Sequence, residues 1–135
     1  EDVCDSLRGM SADPIGPYSP WVEAGEWVVT SGQIGLVDNV MVDGLGPQCD
    51  AALANLGLRL AEAGLKPTDV MKTTVFMVSM DDYGVINEHY VAFFGAHRPA
   101  RSAVAVSALP AGALMEIEAW AYRPVVDSER QEAVL

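Results

Sequence analysis

The sequence predicts an α+β domain in which two amphipathic helices cover one face of a β-sheet. Three observations predict it. Runs rich in β-branched and aromatic residues alternate with two helical periodicities, in the order strand, strand, helix, strand, helix, strand, strand. The chain has 135 residues, 50% of them hydrophobic and 20% charged, which suits one core rather than two. By simple alternation Met71, Val75 and Met77 share one face of a strand, and Phe76 and Val78 the other, so both faces are apolar. Two helices cover only one of these faces, and the second predicts a homo-oligomer.

Taken in order, residues 1–13 carry mixed charge without periodicity and read as an arm. Gly16-Pro17-Tyr18-Ser19-Pro20 is turn chemistry around an aromatic. Trp21–Ala24 reads as a short strand, Gly25-Glu26 as the tight turn after it, and Trp27–Ile34 (WVVTSGQI) as a second strand. Gly35–Gly46 holds turn signals around a short Val-Met-Val segment, a loop or weak edge strand. Gly46-Pro47 opens the first helix, whose Leu53, Leu56 and Leu60 form one stripe and which Gly64 ends. Val70–Ser79 reads as a buried strand. Asp81 or Asp82 caps a second helix, with Tyr83, Ile86, Tyr90 and Phe94 on its inner face and Gly95 at its end. Ala100–Ala108 and Leu114–Tyr122 are the last strands, joined through Leu109-Pro110-Ala111-Gly112. The polar segment 127–135 reads as a tail outside the core.

The net charge is −11, with Arg8, Arg59, Lys66, Lys72, Arg98, Arg101, Arg123 and Arg130 scattered along the chain. Such a surface repels phosphate backbones and argues against nucleic-acid binding. No apolar run approaches the length that spans a bilayer, and the first residues are acidic, unlike a signal peptide. A reducing, cytoplasmic setting and no membrane partner are expected. Cys4 and Cys49 make no disulfide framework and no Cys-x-x-Cys pair. Cys49 reads as a small buried residue rather than a nucleophile. His89 and His97 have no partners at metal-ligand spacing, so no metal is expected, and His89 reads as a surface helix residue. The chain holds no Gly-x-Gly-x-x-Gly and no phosphate loop, so no nucleotide cofactor is indicated.

The segment RPARSAVAVSALPAGALMEIEAWAY, Arg98–Tyr122, concentrates the chemistry. Arg101 opens an apolar strand, where a guanidinium gains nothing unless it meets a carboxylate. Glu116 and Glu118 share a face of the returning strand. If the two strands pair as a hairpin, Arg101 and a glutamate meet at its open end. Two readings follow: an ion pair that fixes strand register, or a clamp for a small carboxylate ligand beside a proton-transferring acid. The pattern does not separate Glu116 from Glu118. Tyr83 and Tyr90, at helical spacing, read as core. Ser31-Gly32 ends a strand, where glycine admits either a ligand close to the backbone or a bulge.

Together, IGPYSP, TSGQIGL, DVMKTTVFM, the helix holding Asn87 and Tyr90 before Phe94-Gly95, and RPARSAVAVSALPAGALMEIEAWA resemble, in this order, the RidA/YjgF family of reactive-intermediate deaminases. The resemblance runs from about residue 14 to residue 123 and implies a domain at 14–126. It implies a fold similar to trimeric chorismate mutase: a mixed sheet with two helices on one face, and a homotrimer with ligand clefts between subunits. It further implies hydrolysis of enamines and imines such as 2-aminoacrylate and 2-iminopropanoate to 2-oxo acids and ammonia, without a cofactor. Carried over by position, Arg101 is the residue that grips the substrate carboxylate and Glu116 the acid that activates water. Tyr18, Ser31 with the Gly32 backbone, and Asn87 line the same cleft. Three departures bear on the pocket. Ala103 stands where many active members have cysteine, Gly35 where proline is common, and the loop Val37–Gly44 is short. Two other classes of reading stay open: a trimeric binder of small carboxylates without turnover, and an endoribonuclease, which the acidic charge disfavours.

Overall fold

A computed structural model describes residues 16–124. The expected arm at 1–13 and tail at 127–135 lie outside the described residues. Five strands form one sheet in the order β1-β2-β7-β5-β6: β1 Trp21–Ala24, β2 Trp27–Thr30, β5 Val70–Met77, β6 Ala100–Ala105 and β7 Met115–Tyr122. A separate hairpin pairs β3 Leu36–Val37 with β4 Val40–Met41. Its turn residues Asp38 and Asn39 both take positive φ, 52° and 65°, which suits a tight two-residue hairpin. Gly25 does the same between β1 and β2 with φ 58°. The sheet is mixed, because β5 pairs antiparallel with β7 and parallel with β6.

That topology corrects the expected hairpin. β6 and β7 do not pair: β5 lies between them. The β5-helix-β6 crossover returns the chain parallel to β5, and β7 fills the opposite flank. A strand apolar on both faces is most stable inside a sheet, and β5 is paired on both sides, with eight-residue β7 and six-residue β6. The linker crosses β5 through a 3-10 turn at Pro110–Gly112, in which Ala111 and Gly112 take φ 57° and 69°.

Helix α1 spans Leu45–Glu62 and α2 spans Tyr83–Phe94. Both pack on one sheet face. Leu53, Leu56 and Leu60 of α1 and Ile86, Tyr90 and Phe94 of α2 meet Val28, Val75, Met77, Met115, Ile117, Ala119 and Ala121 in one core. The predicted stripes are therefore the buried ones, with one exception. Tyr83, expected on the core face, is exposed. Helix α1 begins at Leu45, with Gly44 (φ 96°) ahead of it, so Pro47 falls inside the first turn. Gly64 (φ 78°) and Gly95 (φ 64°) follow the two helix ends as expected. Neither Asp81 nor Asp82 caps α2 by its side chain. Instead the Ser79 hydroxyl accepts from the Asp81 amide and starts a 3-10 turn, Met80–Asp82, that leads into the helix.

Three strand ends differ from expectation for local reasons. β2 stops at Thr30 because Ser31 bonds back to Pro20 and only Gln33 returns to pair, with Ile117. Val70–Ser79 shortens to Met77 and Ala100–Ala108 to Ala105. Alternation also fails at Met71. The register slips between Val70 and Lys72, so Met71 is an extra residue turned out to solvent, and Thr73, Val75 and Met77 face the helices. Among the described residues no helix is long and apolar enough to cross a membrane.

Candidate functional site

Arg101 sits second on β6, in register with Thr73 of β5, which itself pairs with Ala119 of β7. Thr73 and Ala119 are fully buried toward the helices, so the Arg101 side chain rises on the helix-covered face at the edge of the sheet. There it meets α2. Its Nη2 donates to the Tyr83 hydroxyl at 3.1 Å, and its guanidinium carbon lies 5.5 Å from the Tyr83 ring centroid and 4.8 Å from that of Tyr90. Both are within the range of cation–π attraction. Burial pushes the Tyr90 phenol above its ordinary pKa, and a 2.7 Å hydrogen bond ties it to Thr73 Oγ1, so it forms a fixed neutral platform. Asn87 lies one turn from Tyr83 and three residues before Tyr90, on the same flank of α2.

No acidic side chain of the described residues comes within salt-bridge reach of Arg101; the ion pairs there are Arg59–Glu62, His89–Asp50 and Arg123–Glu23. The register-fixing ion pair is therefore not how Arg101 is used. Among the described residues its remaining donors have no partner.

Glu116 lies in register with Phe76, on the sheet face opposite the helices. Its neighbour there is Gly32. A Cβ on Gly32 would stand 2.6 Å from Glu116 Cδ and 2.9 Å from Cγ, so the glycine leaves room for the Glu116 carboxyl in this position and any larger residue would displace it. Paired backbone bonds between Gln33 and Ile117, 2.7 and 3.0 Å, hold the two segments together. Gln33 also donates from its side chain to Ser31 O, while Ser31 Oγ donates to Ser19 O at 2.5 Å and Ser31 N to Pro20 O. These bonds bring the exposed Tyr18 segment, Ser31, Gly32 and Glu116 to one place. Burial first, and the Glu118 carboxylate on the same face second, push the Glu116 carboxyl above its ordinary pKa. Such a group holds and returns a proton more readily near neutral pH than an exposed glutamate does.

The structure thus brings the expected residues together as two groups rather than one. Arg101 with Asn87 stands on one face and edge; Glu116 with Tyr18, Ser31 and Gly32 stands on the other face. Within one chain the two are separated by the width of β5, by three rows of register and by the sheet itself. Tyr83 is the residue that sequence reasoning missed. Its signal was the stripe Tyr83, Asn87, Tyr90, which runs beside the apolar stripe Ile86, Tyr90, Phe94 and is polar at two of its three positions.

The remaining candidates resolve as structural. Cys49 is free and fully buried, and burial, then Asp50 and Asp82, push its thiol up to about 11, the wrong direction for a nucleophile. His89 Nδ1 bonds Asp50 between the helices at 2.6 Å, and His97 Nε2 donates to Val70 O at 2.7 Å. Among the described residues no three His, Cys, Asp or Glu side chains gather as a metal site. Gly35 is pressed on the backbone of Gln48, where a Cβ would stand 2.9 Å from its Cα and O. Ala103 faces the helices and packs against the core.

The protein is thus a two-layer α+β domain that carries an arginine without an acidic partner among the described residues on one face and a carboxyl of raised pKa on the other. The sequence model of the family described as endoribonuclease L-PSP matches residues 9–123. The chain belongs to that family, the RidA/YjgF family. It is 42% identical over 108 residues to the 2-iminobutanoate/2-iminopropanoate deaminase of Mus musculus, covering 78% of this chain and 80% of that one. It is 41% identical over 115 residues to the protein of the same name from Escherichia coli K12, covering 81% and 89%. Among solved structures, E. coli TdcF with bound serine is similar with a TM-score of 0.79 and 38% identity, over 82% of this chain and 91% of that one.

Proposed function

We propose that the chain is a 2-imino acid deaminase that hydrolyses reactive enamines and imines to 2-oxo acids and ammonia, working as a homotrimer with clefts between subunits. The observation that carries this reading is Arg101: a guanidinium seated on two tyrosine rings with no acidic partner among the described residues, in a chain 42% identical to a protein bearing the deaminase name. The bound serine in TdcF, a small amino carboxylate, supports the same ligand class.

In this mechanism Arg101 binds the carboxylate of the 2-imino acid by a bidentate contact and thereby positions the adjacent iminium carbon. A water held by Glu116 adds its oxygen to that carbon, and its proton passes to the carboxylate. The carbon–nitrogen double bond becomes a single bond. Protonated Glu116 then returns the proton to nitrogen, the carbon–nitrogen bond breaks and ammonia leaves, and the hydroxyl gives its proton back to Glu116 as the carbon–oxygen double bond of the 2-oxo acid forms; ammonia or solvent then takes that proton and resets the carboxylate. The reaction is redox-neutral and needs no electron carrier. Tyr18, Ser31, Gly32 and Asn87 line the cleft.

Because Arg101 and Glu116 occupy opposite faces, we assign each cleft to Arg101 of one subunit and Glu116 of a neighbour. The exposed side chains Val22, Trp27, Trp120 and Tyr122 support a second copy covering the open face. A cytoplasmic setting, near the pyridoxal-phosphate enzymes that release such intermediates, completes the reading.

Added to a serine or threonine dehydratase reaction containing semicarbazide, the protein lowers semicarbazone formation, and Arg101→Ala loses this effect by about 1000-fold, as expected when two charge-assisted hydrogen bonds are lost. Suppression by Arg101→Ala equal to wild type refutes the mechanism. Mixed refolding of Arg101→Ala with Glu116→Gln subunits restores activity to about a quarter of the clefts if the site lies between subunits. No recovery means that the site lies within one.

A further inference from the structure

Two tyrosines flank Arg101, and they use their hydroxyls differently. The Tyr90 hydroxyl is bonded to buried Thr73, so this residue offers the guanidinium only its ring. The Tyr83 hydroxyl accepts from Arg101 Nη2, and among the described residues this is both its only bond and the only hydrogen bond of the guanidinium. A phenol has one proton to donate besides what it accepts. Here that proton faces away from the guanidinium, on a side chain that is 38% exposed at the mouth of the clamp. Accepting from a cation also polarises the O–H and makes it a better donor.

We propose that Tyr83 is a second ligand for the substrate carboxylate. Its oxygen accepts from Arg101, which fixes the fork, while its O–H donates to a carboxylate oxygen that the fork holds. The inference rests on the deaminase reading of the same site and extends it. The clamp becomes a set of donors with no acceptor facing the ligand, because both guanidinium and phenol O–H give protons. A free carboxylate satisfies all of them, whereas the NH2 of a primary amide meets donors only. The substrate class is thereby restricted to 2-imino acids with an ionised carboxylate.

The test compares binding of 2-oxobutanoate and of 2-oxobutanamide to wild-type protein, Tyr83→Phe and Arg101→Ala by calorimetry. Tyr83→Phe keeps the ring and removes only the hydroxyl. It is expected to weaken 2-oxobutanoate about 10-fold, the effect of one hydrogen bond to a charged group, and to leave the amide within about twofold. In turnover the loss falls on KM more than on kcat. If Tyr83→Phe weakens both ligands alike, or neither, Tyr83 is not a carboxylate ligand and the proposal is overturned. Arg101→Ala keeps the two failures apart. Loss of 2-oxobutanoate binding in that variant upholds the clamp whatever Tyr83 does, and undiminished binding sinks the deaminase reading itself.

Discussion

On the helix-covered face of the sheet, every buried side-chain polar atom among the described residues has a partner: Thr73 with Tyr90, Gln48 with the Leu114 amide, Arg59 with Glu62. On the open face of the same sheet, Glu116 and Glu118 have no cation within salt-bridge reach among the described residues, and Trp120, 46% exposed, stacks edge-on against Trp27. The first face is finished by its own chain. The second is a surface whose polar and apolar groups both want something more. Arg101 belongs by direction to the first face, yet it behaves like the second, because it stands at the edge where α2 ends its cover. Groups left incomplete within a chain mark where ligand and neighbouring subunit are expected.

Paired substitutions on the two faces sharpen this contrast most. Leu56→Ala, in the finished core, is expected to cost about 3 kcal/mol of folding stability, read from urea unfolding at fixed protein concentration. Trp120→Ser, on the open face, is expected to leave the far-ultraviolet spectrum unchanged and to shift sedimentation from the proposed trimer toward smaller species. If Trp120→Ser instead lowers the urea midpoint as much as Leu56→Ala and leaves sedimentation unchanged, the distinction between the faces fails.

A smaller effect is expected at the contact that holds the acid in place. In Gly32→Ala the new Cβ overlaps the Glu116 carboxyl, which must swing aside. Since a misplacement of about 1 Å in catalytic geometry costs up to about 100-fold, kcat/KM should fall about 10- to 100-fold, while the thermal midpoint changes little. Full activity in Gly32→Ala would show that the position of Glu116 is immaterial.

The smallest effect concerns pH. Glu116 has a raised folded-state pKa, so the native state binds its proton more tightly than the unfolded state. Its favourable share of stability is present below the ordinary carboxyl value of 4.5 and is lost as pH rises through the folded value. Glu116→Gln, which cannot ionise, should therefore be more stable than wild type at neutral pH, with the difference vanishing in acid. Thermal midpoints measured across pH 3.5 to about 8 read this directly, and a neutral-pH loss of stability contradicts the assigned cause.

Much of this molecule was legible in its sequence because the signals are local. The Leu53-Leu56-Leu60 stripe, the glycines at 25, 64 and 95, and the β-branched run of β5 each specify an element through periodicity or backbone freedom. The sequence also pointed to Arg101 as a charge lacking an obvious reason, and to Gly32 as a close approach. It could not order the strands. Pairing β6 with β7 is the shortest connection, and only the parallel β5-α2-β6 crossover, a contact among distant segments, puts β5 between them. The same fact moves Arg101 and Glu116 to opposite faces. The bulge at Met71 and the turning of Tyr83 from the core toward Arg101 are likewise products of register and helix docking. What the sequence determined by itself is which segments are strand or helix, which side chains are apolar and which residues can do chemistry, because propensity and periodicity act over a few residues. What tertiary structure alone decided is which of those residues share a surface, because register and face are set by packing across the whole sheet.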